Sequence, residues 1–216
     1  AMEDCLQTVR VNLKTVAGTT VDLNATIQDT HPDGSDIGTV IAFHGIPGSH
    51  RDFSALLPRL QERGVRLIAT CFPGFGYTPL FSKLMKMKIK DGDVAATTVK
   101  AVSAIDFPSQ LRYIQQLRDS HVQVLMVYSG SDPFIEQSIS DHLVEAFGSI
   151  KRLICSSVVP EDSTTDEYIE AVRSGERKVA VCFAKEGHQL QKTRAKFLAD
   201  AIVAMLEMNQ NPATMH

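Results

Sequence analysis

Thr39-Val40-Ile41-Ala42-Phe43-His44-Gly45-Ile46-Pro47-Gly48 is the stretch that decides the fold. Thr39 to Phe43 is a short apolar run without polar alternation, the pattern of a parallel strand covered on both faces. The next five residues turn the chain with two glycines and a proline. Phe53, Leu56, Leu57 and Leu60 then recur at helical spacing, and Gly64 stops them, so a helix is expected from Phe53 to Arg63. Val65 to Thr70 is a second apolar run, and Cys71 to Tyr77 leaves it as a loop rich in proline and glycine. Strand, helix and strand in this order make a β-α-β unit, whose crossover is right-handed and whose sheet is at least partly parallel.

Outward from this unit the patterns change. Thr8 to Lys14 places apolar residues at every second position, and Val21 to Ile27 repeats the alternation after a turn at Gly18. Together they predict an N-terminal antiparallel hairpin. Leu111 to Arg118 and Val94 to Ile105 both fit helices. Phe81 to Lys90 interleaves four lysines with apolar residues and reads best as a solvated lysine face. In the second half, Val122 to Tyr128, Lys151 to Ser156 and Val179 to Ala184 read as strands. Helices are expected at Phe134–Phe147, with Ile135, Ile139, Leu143 and Phe147 as the buried stripe, at Asp166–Val172 and at Gln189–Glu207. The fold class is therefore α/β: a mostly parallel sheet flanked by helices, with an N-terminal antiparallel hairpin. Residues 1–208 are expected to form one domain, 79–106 a lid-like remnant within it, and 209–216 a loose tail.

Composition excludes more than it identifies. Against 25 acidic residues stand 22 basic ones, a net charge of −3, which disfavours a nucleic-acid partner. No apolar run approaches the ~20 residues that cross a bilayer, so no membrane partner is expected. The acidic start, Glu3-Asp4, lacks the apolar core of a signal peptide. Cys5, Cys71, Cys155 and Cys182 lie far apart, without metal-ligand spacing, and read as free thiols of a reducing, cytoplasmic compartment. No cofactor or metal is called for by any motif.

In an open parallel sheet, ligands sit outside the carboxyl ends of the strands. Four such ends carry polar or glycine-rich sequence: His44–Gly48, Pro73–Tyr77, Gly130–Asp132 and Gly187–His188. A carboxylate after one strand and a histidine after a later one make a base and its orienting acid, with Asp132 holding the imidazole of His188. Asp132 ahead of Pro133 also suits a helix N-cap, and the two roles are compatible. The N–H of Ile46, in the turn after the first parallel strand, is placed to stabilise an oxyanion. His44 reads as a shaper of its turn. Ser49 and Ser129 are weak candidates for a nucleophile, and Cys71 reads as an inert buried thiol.

The sequence resembles the α/β-hydrolase superfamily on these residues. His44-Gly45-Ile46-Pro47-Gly48 is similar to that family's H-G-x-P-G turn, and Pro73-Gly74-Phe75-Gly76 to its P-G-x-G loop. Gly130-Ser131-Asp132 and Glu186-Gly187-His188 resemble its acid and histidine loops, in the family's order. The likeness is nearest to an uncharacterised nematode α/β-hydrolase-like group. It implies hydrolysis of a small ester-like substrate, with His188 as base, Asp132 as orienting acid and Ile46 as oxyanion donor.

One part of the pattern is absent. The family carries its nucleophile in a G-x-S-x-G elbow between a strand and a helix. No G-x-S-x-G occurs in the 216 residues; Gly34-Ser35-Asp36-Ile37-Gly38 has the glycines but not the spacing. Between Thr78 and Phe107 no apolar run is long enough to carry an elbow. Two readings stay open. One is an α/β-hydrolase-like protein with impaired activity. The other is a non-catalytic descendant that binds a small-molecule ligand or a protein, so whether the chain is an enzyme is undecided by its letters. A sheet edge exposed by a missing strand invites pairing with a second copy, which makes a homodimer one expectation.

Overall fold

The computed structural model describes residues 5–14, 18–73, 75–78, 106–160 and 166–210. Its contacts gather into two units, Ala1–Ile105 and Asp106–His216, taken separately below. The lysine-rich stretch at 81–90, the helix expected at 94–105 and the tail from 211 lie outside the described residues.

In the first unit, β1 (Leu6–Lys14) and β2 (Thr20–Asp29) form the expected antiparallel hairpin, in register from Leu6 opposite Gln28 to Lys14 opposite Thr20. β2 pairs antiparallel with β4 (Arg66–Thr70), and β4 pairs parallel with β3 (Thr39–Ala42), giving the order β1-β2-β4-β3. The parallel β3–β4 pair is the one the β-α-β pattern predicts. Its connection is a 3-10 turn (His50–Phe53) followed by α1 (Leu56–Gln61), shorter than the helix expected. Pro58 accounts for the late start: it has no N–H to donate and is tolerated only in a first helical turn. Leu56, Leu57 and Leu60 of α1 pack with Val65, Leu67 and Ala69, all buried. Asp29, at the end of β2, is fully enclosed and accepts two hydrogen bonds from Arg66, Nε at 2.9 Å and Nη2 at 2.5 Å. That guanidinium holds the Asp29 carboxyl below its ordinary value.

β3 departs from expectation in one respect. It was expected to be covered on both faces, yet Ile41 is 58% exposed and Phe43, just beyond the strand, 64% exposed. Among the described residues β4 is its only strand partner, so the apolar run belongs to an edge strand.

The second unit is a parallel three-stranded sheet, order β5-β7-β6, with β5 at Val124–Ser129, β6 at Lys151–Cys155 and β7 at Lys178–Phe183. Its described helices are α2 (Phe107–Asp119), α3 (Gln137–Ala146), α4 (Asp166–Arg173), α5 (Leu190–Thr193) and α6 (Ala195–Gln210). β7 lies in the middle and alternates between two packed faces. Val179, Val181 and Phe183 meet Tyr168, Ile169 and Val172 of α4 and Phe197, Ala201 and Ala204 of α6. Ala180 and Cys182 point the other way, to Tyr128 and Val144. The rings of Tyr168, Phe183 and Phe197 pack edge to face at 5.3–6.5 Å between centroids.

Two helices differ from the reading of the sequence. In α3 the buried residues are Ser140 and Val144, with Phe147 just after it, whereas Ile135, Ile139 and Leu143 of the expected stripe are exposed. The helix is rotated so that its Val144 edge meets the sheet. The last helix is not continuous: it breaks at Arg194, between α5 and α6. Arg194 is 3% exposed, and its side chain turns back into the unit.

Candidate active site

Each loop of interest begins where a strand ends. After β5, Gly130 and Ser131 carry the chain to Asp132. After β7, Ala184 to Gly187 carry it to His188. The two loops are locked together by backbone: Gly130 N–H donates to Phe183 O at 3.0 Å and Ser131 N–H to Glu186 O at 3.1 Å. Side chains add to the lock. Ser129 Oγ donates to Gly187 O at 2.5 Å and Ser131 Oγ to Ala184 O at 2.9 Å. Gly130 has to be glycine, because a Cβ there would stand 2.7 Å from Ala184 Cα and 2.8 Å from its carbonyl oxygen.

This lock brings His188 Nδ1 to 2.8 Å from Asp132 Oδ2. A carboxylate only accepts, so Nδ1–H is the donor, and in the neutral ring Nε2 is the nitrogen with the lone pair. Oδ1 of Asp132 is occupied separately, accepting from the N–H groups of Phe134 at 2.8 Å and Ile135 at 3.1 Å. The carboxylate therefore fixes its own turn with one oxygen and the imidazole with the other. The turn it caps precedes α3, whose N-cap is Glu136, so Asp132 is not the helix cap itself. Desolvation, the largest single influence, opposes charge on Asp132. The two backbone N–H groups and His188 together outweigh it and hold the carboxyl below its ordinary value. The side chain of His188 is 44% exposed, and Phe134 stands edge-on to its ring at 5.1 Å.

A cavity of about 390 Å³ opens beside the pair, lined by β5 from Met126 to Ser129, by Ile135, Leu190 and Leu198, and by Asp132 and His188 themselves. No hydroxyl or thiol among the described residues hydrogen-bonds the imidazole. Tyr128 Oη donates to Asp141 and Ser129 Oγ to Gly187, so neither hydroxyl serves as a nucleophile held on His188.

Ile46 belongs to the first unit, in the turn that follows β3, and its bond to Pro47 is cis. Among the described residues its N–H has no acceptor. His44 shapes this turn as expected: it is buried, its Nδ1–H donates to Gly45 O at 2.6 Å, and its Nε2 accepts from Phe72 N–H at 3.0 Å. Ser49 is a cap, accepting at Oγ from Arg51 N–H while Asp52 accepts from its own N–H. Gly48 is enclosed so closely by Asp52, Gly45 and His44 that a Cβ would overlap all three. Cys71 is buried and lies 3.1 Å from His50 Nδ1, a contact without a signal in the sequence. The contact of Phe134 with the His188 ring and the side-chain pair of Glu186 with Arg194 likewise have no signal in the sequence. Glu186 and Arg194 pair across eight residues, a spacing that no local pattern marks.

Comparison with known proteins follows from these parts. The model of a family described as "Alpha/beta hydrolase of unknown function (DUF1057)" matches residues 3–82 and 80–207. An uncharacterized protein of Caenorhabditis elegans is 32% identical over 77 residues, which are 34% of this chain and 21% of that protein, so the match spans about a fifth of the relative. Among solved structures, an esterase of Pyrococcus furiosus is 9% identical at a TM-score of 0.48, covering 96% of this chain and 93% of the other. The thioesterase domain from the curacin biosynthetic pathway is 9% identical at a TM-score of 0.47, covering 91% and 99%.

Proposed function

The chain belongs to a family of α/β-hydrolases of unknown function, and from that premise we propose that it is a hydrolase-fold protein whose ancestral reaction, hydrolysis of a small ester-like substrate, is impaired. The observation that carries this reading is the Asp132–His188 pair, formed at 2.8 Å beside a cavity, with no hydroxyl or thiol among the described residues hydrogen-bonded to the imidazole. His188 is the base and Asp132 the acid that fixes its tautomer; for Ile46, in the other unit, the role of oxyanion donor rests on the family resemblance of its turn. With Nδ1–H held by Asp132, Nε2 is free to take a proton from an attacking atom. The G-x-S-x-G that would supply that atom is absent, and the two matched segments meet at residues 80–82, where the sequence leaves the P-G-x-G loop. An assay with p-nitrophenyl esters tests the proposal. The expected result is turnover at the level of the buffer. Turnover that His188→Ala abolishes overturns it.

The cavity favours a second reading, retention of the site for binding. Its walls are mostly apolar with a few polar groups among them, the composition of a small-ligand pocket. Titration with short-chain carboxylic acids and their esters, followed by the amide spectrum, tests this. Shifts confined to β5, Ile135 and His188 support it, and an unchanged spectrum at millimolar ligand counts against it. No described helix is long and apolar enough to cross a membrane. The buried thiols of Cys71, Cys155 and Cys182 support placement in the cytoplasm, where reducing conditions preserve them.

A further inference from the structure

Arg194 is the most enclosed cation of the second unit. Its Nη1 donates to Pro160 O at 2.9 Å, its Nη2 donates to Val159 O at 2.5 Å and also to Glu186 Oε1, and its guanidinium lies over the Phe183 ring at 5.2 Å. Glu186 stands two residues before His188 and is itself hydrogen-bonded at both backbone ends, its N–H to Phe183 O and its O from Ser131 N–H. The side chain that interrupts the last helix thus ties the histidine loop to the Val159–Pro160 segment. A planar guanidinium can do this with three acceptors in fixed directions, which an ammonium cannot.

We infer that Arg194 is a positioning residue: acting through Glu186, it fixes the loop so that His188 Nδ1–H stays on Asp132. This rests on the reading of Asp132 and His188 as an acid–base pair. Arg194 touches neither member of the pair, and its effect is on which ring nitrogen carries the proton. Release of the Glu186 side chain leaves its loop held by the backbone bonds Glu186 N–H to Phe183 O and Ser131 N–H to Glu186 O and by the hydroxyls of Ser129 and Ser131, and the imidazole then exchanges more readily between its two neutral tautomers.

Side-chain ¹⁵N spectra of the full chain at alkaline pH test this, with the His188 signals assigned by their loss in His188→Gln. The wild type is expected to show the Nδ1–H tautomer. In Asp132→Ala the ratio of Nδ1–H to Nε2–H is expected to fall roughly tenfold, as a hydrogen bond to a charged group implies, and in Arg194→Met roughly threefold. Glu186→Gln, which keeps an acceptor but removes the charge and leaves Arg194 its two carbonyls, is expected to fall between wild type and Arg194→Met. It carries the same readout if Arg194→Met does not fold. Val144→Ala, which loosens the opposite face of the sheet, is expected to leave the ratio unchanged. A ratio that moves in Asp132→Ala but not in the folded Arg194 or Glu186 variant overturns the positioning role and leaves the acid–base pair standing. A ratio indifferent to Asp132→Ala overturns the pair itself.

Discussion

Ser129 Oγ donates to the carbonyl of Gly187 at 2.5 Å, so the last residue of β5 grips the loop that presents His188. The hydroxyl is 58 residues from its acceptor in sequence and buried beside the cavity, which makes it a fastener of the site. Ser129→Ala leaves the Gly187 carbonyl without that donor. A loss of about 1 kcal/mol in urea unfolding is expected. An unfolding free energy unchanged by the substitution would contradict this assignment.

Asp132 supplies a pH dependence whose sign is fixed by its depressed folded pKa. The unfolded chain then takes up the proton first, at about 4. The stability contributed by the carboxylate is complete above that value and is lost as pH falls through the lower folded value. Wild type and Asp132→Asn should therefore differ most in unfolding free energy at neutral pH and converge toward pH 3. A difference that is flat from pH 7 to pH 3 shows that the carboxylate is not held in the folded state.

His50 gives a second window, nearer neutrality. Burial is the main cause that lowers its pKa, with the neighbouring Arg51 charge adding to it. The unfolded histidine binds its proton at about 6.5 while the folded one resists, so stability falls as pH drops below that value. His50→Gln should flatten the stability profile between pH 7 and pH 5. An unchanged slope in that interval removes His50 as its source.

The rotation of α3 is open to a paired test. Val144 is fully buried whereas Ile139 is 57% exposed, although Ile139 has the larger apolar side chain. Val144→Ala should cost about 1–3 kcal/mol through the cavity it leaves, and Ile139→Ala within about 0.5 kcal/mol of nothing, as for surface positions generally. Equal costs in thermal or urea unfolding would return the buried face to the stripe read from sequence.

The elements themselves were legible because they are written in local terms. Alternation at Thr8–Lys14 and Val21–Ile27 gives a hairpin, and a short apolar run ending in glycine and proline gives a strand and its turn. The loops of Asp132 and His188 were legible as well, since each follows a buried strand and parallel strands bring such ends to one edge. The oxyanion assignment of Ile46 stayed at the level of its turn, its N–H lacking an acceptor among the described residues.

What the letters determined alone was therefore the α/β class, the parallel β3–β4 unit and the two loops that meet. Tertiary structure decided the rest: which edge of α3 is buried, that β4 is the strand partner of β3 among the described residues, and how Arg194 reaches Glu186. The reason is physical. A repeat of apolar residues says that a face can be buried, and a charged residue says that it needs a partner. Which neighbour arrives to cover the one or satisfy the other is settled only when distant segments pack, and no spacing along the chain records it.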